Sequence, residues 1–193
     1  MDDSPLHHPA AAAGIRARNT ALGFHGSCQD RTGALLRTLA ALKPGGRLLE
    51  LGTGTGAGTA WILDGMSSDA HLVTVERDPE LAAVASDLLR SDHRVEFTVD
   101  DLHEWMPQQR GQTFDFVFVD CRLAKQHHET VLGLLRPGAV YVADDLHPGT
   151  GWGPQDVVAR DEYLATLAAD PRLRPTLLDW SSGLVVAAVD GHG

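Results

Sequence analysis

The sequence predicts an α/β domain, a mostly parallel sheet with helices on both faces that closes on an antiparallel strand. Three observations predict it. Short apolar runs, several ended by an acid, alternate with helical patterns between Arg47 and Asp145. A glycine-rich turn, Gly52 to Gly58, joins the first run to a helix. The last two runs are separated only by Ser181, Ser182 and Gly183, a connection that suits a hairpin, whereas strand–helix alternation needs parallel crossovers.

Composition bounds the reading. A chain of 193 residues suits one domain, here residues 27–193, preceded by a flexible leader or substrate cap over residues 1–26. The formal charge of −10, with 26 acids against 16 bases, disfavours nucleic acid, whose backbone is held mainly by Lys and Arg. Cys28 and Cys121 have no metal or disulfide spacing, which fits a reducing cytoplasm. The start shows no basic segment followed by an apolar core, and no apolar run is of membrane-spanning length.

In order, a short helix is expected near Ala10 to Leu22, then one from Asp30 carrying Leu35, Leu36, Leu39 and Leu42 and stopped by Lys43-Pro44-Gly45-Gly46. Leu48 to Leu51 is the first strand, and a helix through Ala60 to Leu63 follows the glycines. His71 to Glu76 is the second strand. Asp78 caps the next helix, Pro79 suits its first position, and Leu81, Val84, Ala85, Leu88 and Leu89 line one face. Val95 to Val99 is the third strand, with a short helix over Leu102 to Met106 after it. Phe114 to Val119, nearly continuous in aromatic and β-branched residues, reads as a strand buried on both faces. A helix carrying Val131, Leu132, Leu134 and Leu135 stops at Arg136-Pro137-Gly138 and delivers the strand Ala139 to Ala143. After a polar loop, His147 to Pro154, comes a helix with Val157, Val158, Leu164 and Leu167, then the closing hairpin of Leu173 to Trp180 and Leu184 to Val189.

The glycine turn is a ligand signal: backbone without Cβ lets a ligand lie close, beside free helix N–H groups. Taken alone, Gly52-x-Gly54-x-x-Ala57 with Glu76 roughly 20 residues on also fits a dinucleotide fingerprint. Glu50 before the glycines, the single nucleotide-sized unit and the closing hairpin set it apart from that fingerprint.

With LLELGTGTGAGT, VTVERDPE, FDFVFVD, LLRPGAVYVADD and DWSSGLVVAAV in this order, the chain resembles the class I S-adenosylmethionine-dependent methyltransferases, and among them the small catechol and caffeoyl-CoA O-methyltransferase-like enzymes. The resemblance implies a Rossmann-like seven-stranded methyltransferase sheet, its last strand antiparallel, with S-adenosylmethionine as cofactor. It implies that Glu50, Gly52, Gly54 and Gly56 hold the donor's methionine part and that Glu76 accepts from both ribose hydroxyls. Asp100 or Asp101 would lie near the adenine, and Asp120 near the donor.

In metal-dependent members the resemblance further implies that Asp120, Asp144 and Asp145 bind Mg²⁺ or another divalent ion, which holds an acceptor hydroxyl and lowers its pKa. The same acids also suit capping of loops and helices. The family's lysine three residues after the fourth-strand acid is Leu123 here, leaving Lys125, and His147 among the histidines, as the expected bases. Trp152, in a polar loop, is placed to stack on a flat acceptor. The expectation is a cytoplasmic O-methyltransferase acting on a small, aromatic hydroxyl compound. A metal-independent methyltransferase and a non-catalytic cofactor-binding module are the alternatives, and a homodimer is compatible with the family.

Overall fold

The computed structural model describes residues 3–149 and 151–190, so the expectations over residues 1–2, 150 and 191–193 lie outside the described residues. The elements run α1 (Ala12–Leu22), α2 (Asp30–Ala41), β1 (Arg47–Leu51), α3 (Ala57–Gly65), β2 (His71–Glu76), α4 (Pro79–Leu89), β3 (Val95–Val99) and α5 (Leu102–Gln108). They continue through β4 (Phe114–Val119), α6 (Arg122–Gln126), α7 (His128–Leu132), β5 (Leu135–Ala143), α8 (Pro154–Ala169), β6 (Leu173–Leu178) and β7 (Leu184–Val189). The seven strands form one sheet in the order β3-β2-β1-β4-β5-β7-β6. The pairs along β3-β2-β1-β4-β5 are parallel. Only β7 runs against its neighbours, β5 and β6, as the short hairpin connection requires. No helix among the described residues is long and apolar enough to cross a membrane.

Strand alternation divides the core into two layers. Leu48, Leu72, Phe116, Phe118 and Val142 pack with Ile15, Leu36, Ile62 and Leu89 from α1 to α4. Leu49, Val73, Val117, Val119 and Tyr141 pack on the opposite face with Trp105, Ala124, Val131 and Leu167 from α5 to α8. Helix α1 therefore lies on the domain through Ile15, and its segment is tied down further by Trp180 Nε1 donating to Asp3 at 2.7 Å and by the Arg31–Asp3 ion pair. Asp78 caps α4 as expected, accepting from the N–H groups of Glu80 and Leu81.

One stretch departs from the sequence reading. Leu134 and Leu135 are not helical: α7 ends at Leu132 and β5 starts at Leu135, so Arg136, Pro137 and Gly138 belong to the strand. A register shift opposite Phe114 and Phe116 accommodates them, with Gly138 at φ 81. Leu134 and Leu135 are both buried, and burial of a short leucine run is equally compatible with helix or strand.

Helices α2 and α3 touch at glycines. A Cβ on Gly65 would lie 2.0 Å from the Arg37 carbonyl oxygen, a backbone atom that moves only if the helices separate. Gly65→Ala is expected to lower stability by about 2–3 kcal/mol, the upper part of the overpacking range; urea denaturation followed by circular dichroism measures it.

Candidate active site

The carboxyl ends of the parallel strands carry the expected residues. The turn after β1 contains three left-handed glycines, Gly52 at φ 102, Gly54 at φ 53 and Gly56 at φ 92. Gly52 has a steric reason besides: its Cβ would sit 2.8 Å from the Asp120 carbonyl oxygen beyond β4. The Phe24 ring lies over this turn, 3.3 Å from where a Gly54 Cβ would be.

Glu76, at the end of β2, is held by two N–H groups, accepting from Gly54 at 2.9 Å and Asp78 at 3.0 Å. Each carboxylate oxygen keeps a free lone-pair direction. Asp101 accepts from the His103 N–H at 2.8 Å and so caps α5, while Asp100 accepts from the Asp101 N–H.

Glu50 is fully enclosed. Its Oε2 accepts from Thr59 at 2.5 Å and Thr74 at 2.6 Å, whereas Oε1 has no hydrogen-bond partner among the described residues and sits where a Cβ on Gly58 would press on it. Burial raises its pKa to about 7, against the threonine hydrogen bonds that lower it and with the Glu76 charge adding to the rise. Glu50 thus braces the turn from behind rather than lining an opening.

Two cavities flank this junction. One of about 780 Å³ is bordered by Gly52, Glu76, Asp101 and His103. The other, of about 420 Å³, is bordered by Asp120, Lys125, Asp145, Trp152, Arg160 and Tyr163. Both are walled by Cys121, Arg122 and Gln126, so they adjoin across α6. Asp100 borders a shallower depression with Arg77 and Pro79. His147 borders neither main cavity; its Nε2 lies 2.7 Å from Asp179.

The three far-side acids are treated differently by the fold. Asp144 is buried, its Oδ1 accepting from the Ser182 hydroxyl and from the Asp145 N–H at 2.7 Å. Ser182 in turn meets Thr32 of α2, which also bonds Ser181 at 2.9 Å. Asp145 is exposed, with a left-handed backbone at φ 56. The Asp120 carboxyl is pushed well above the usual range by burial, then by the charges of Asp144 and Asp145, with Lys125 pulling it down. Among the described residues no group of three or more His, Cys, Asp or Glu side chains is arranged to hold a metal ion. With Asp144 committed to Ser182 and Asp145 on the surface, the acids do not fit a divalent ion in this arrangement.

Sequence reasoning missed the wall between the cavities and the contribution of α8. Arg122, Lys125 and Gln126 recur at helical i, i+3, i+4 spacing, a signal that was readable once α6 was placed. Arg122 is ion-paired with Asp156 of α8, and Arg160 donates to the Leu146 carbonyl at 3.2 Å, pinning the loop after β5.

A sheet of this order, parallel but for β7, with a glycine turn at its switch point and an acid ending the next strand, defines the class I methyltransferase architecture. The methyltransferase-domain family matches residues 49–146. A predicted O-methyltransferase of Mycolicibacterium vanbaalenii is 31% identical, covering 96% of this chain and 86% of the relative. The solved structure of cofactor-bound Rv0187 from MTB is 27% identical with a TM-score of 0.85, covering 97% and 93% of the two chains. The O-methyltransferase TomG of Streptomyces achromogenes, solved with S-adenosylmethionine, has the same fold at 24% identity and TM-score 0.84, covering 96% and 92%. The chain belongs to the methyltransferase-domain family, as an S-adenosylmethionine-dependent methyltransferase.

The state of Glu50 has a measurable consequence. Its folded pKa of about 7 lies above the ordinary 4.5, so the folded protein binds the extra proton and loses stability as pH rises from about 4.5 to about 7. Glu50→Gln is expected to be the more stable protein above pH ~7, by at most about 3 kcal/mol, with a flatter profile below; chemical denaturation between pH ~5 and ~8 reads the difference.

Proposed function

We propose that this enzyme transfers the methyl group of S-adenosylmethionine to a hydroxyl of a small aromatic acceptor. The observation that carries the reading is the pair of adjoining cavities over the strand ends, one beside the glycine turn and Glu76, the other bearing Trp152 and Tyr163. The names of the relatives as O-methyltransferases support the choice of oxygen.

In this reading Gly52, Gly54 and Gly56 give the donor's methionine part a bare backbone, with Glu50 as the brace behind them. Glu76 accepts the ribose hydroxyls, and Asp101, with Asp100 beside it, borders the adenine end. The acceptor ring stacks on Trp152. Its oxygen attacks the sulfonium methyl in line, the carbon–sulfur bond breaks, and S-adenosylhomocysteine leaves. Asp120 borders the same cavity as Lys125 and is placed to take the hydroxyl proton, and the Lys125 ammonium steadies the developing phenolate. The step uses this chain's own groups, and no metal enters it.

Calorimetric titration tests the donor half: S-adenosylhomocysteine is expected to bind, and Glu76→Ala to weaken it by roughly 1.5–3 kcal/mol, the scale of a charged hydrogen bond. Absence of binding by the wild type overturns the reading. For the acceptor half, Lys125→Met is expected to lower turnover of phenols by about 10²-fold while S-adenosylhomocysteine affinity stays unchanged. Turnover that vanishes on chelation and returns with Mg²⁺ would instead place a metal in the step.

A further inference from the structure

Behind the glycine turn sits an acid with half of its carboxyl unspent. Glu50 of β1 is fully buried; Oε2 takes the hydroxyls of Thr59 and Thr74, while Oε1 and the Phe118 ring share the space a Gly58 side chain would need. Among the described residues Glu50 has no cationic partner. Thr74 spends its one hydroxyl proton on Oε2, so in its 2.6 Å contact with Thr53 it is Thr53 that donates. Two hydroxyls thus link the donor turn to the carboxyl.

The ionisable groups that face Glu50 add to the difficulty of a charge there. Glu76, from β2, opposes its ionisation, and the Glu50 charge in turn acts on Asp120 beyond β4 and on the Cys28 thiol ahead of α2. From α3 it meets the Thr59 hydroxyl. An enclosed carboxylate in this company is costly, and a proton fits on Oε1 without breaking the threonine bonds to Oε2. Its folded pKa of about 7 agrees with that geometry.

The cavity beside the turn begins at Gly52, two residues beyond Glu50. S-adenosylmethionine brings a sulfonium cation to this crevice, and S-adenosylhomocysteine, the spent donor, is neutral at the same sulfur. A nearby cation favours the ionised carboxylate; a thioether does not. We propose that Glu50 discriminates the charged donor from the spent one, giving up its proton to solvent when S-adenosylmethionine binds and staying protonated with S-adenosylhomocysteine. It acts through its field and the threonine chain without touching the ligand. The proposal rests on the donor half of the reading above and holds for any acceptor. Its sign is fixed: as pH rises through about 7 the cation no longer has to expel a proton, so preference for the donor grows, and as pH falls the spent donor competes better.

Calorimetry without acceptor measures this. S-adenosylmethionine and S-adenosylhomocysteine are titrated separately into the wild type and Glu50→Gln between pH ~5.5 and ~8.5, in two buffers of different ionisation enthalpy so that exchanged protons are counted. Across that range the wild-type preference for S-adenosylmethionine is expected to rise by about tenfold relative to Glu50→Gln, against which the ligands' own amino groups titrate in the same way. Near pH ~6.5 the wild type is expected to release more protons on binding S-adenosylmethionine than the variant does. Thr59→Val removes a bond to the charged form and is expected to move the midpoint to higher pH, a second test that stands if Glu50→Gln does not bind the ligands. The same pH dependence in the wild type and Glu50→Gln, or a midpoint that Thr59→Val leaves in place, overturns the proposal. No binding of either ligand by the wild type overturns the donor reading as well.

Discussion

Where β1 and β4 end, two backbones pass so closely that only glycine fits: a Cβ on Gly52 would press on the Asp120 carbonyl. These strands are neighbours in the sheet although far apart in sequence, and the chain leaves β1 towards β2 on one side and β4 towards β5 on the other. Such a reversal opens a crevice over the carboxyl ends, the usual ligand position in open α/β sheets. Both cavities lie along that crevice, and the wall between them is the first helix after β4.

The crevice concentrates acids in a chain that is already negative, with a formal charge of −10. Each is handled by different chemistry. Glu50 is buried with a pKa near neutrality, Asp144 is tied to Ser182, and Asp120 is displaced upward by burial and then by the charges of its acidic neighbours. Lys125 is the cation whose field reaches both Asp120 and Asp144. A cationic sulfonium beside this set meets negative potential, and its conversion to a neutral thioether removes that attraction, which favours product release.

The network from Asp144 through Ser182 to Thr32 ties β5, the closing hairpin and α2 together. It commits Asp144 to the hairpin, and among the described residues no group of three or more His, Cys, Asp or Glu is arranged to hold a metal ion. One carboxylate serves the hairpin, and the backbone of its neighbour, Asp145, turns left-handed towards solvent. The same hairpin, with Trp180 bonded to Asp3, also anchors the N-terminal segment.

By itself the sequence determined the class of fold and the strand and helix order, because these rest on local signals: short, nearly continuous apolar runs, the Asp78-Pro79 cap, and glycines whose positive φ is needed wherever they sit. It misread Leu134 and Leu135, where burial and a leucine run suit helix and strand alike and the register opposite Phe114 decides. It placed Asp120, Asp144 and Asp145 near one another but could not say how each is spent, since Ser182 and Thr32 arrive from distant segments. The acceptor cavity was the least readable part. Tyr141 and Tyr163 lie on a strand and a helix that meet only when α8 packs against the sheet, and only that packing brings their hydroxyls together at 2.6 Å.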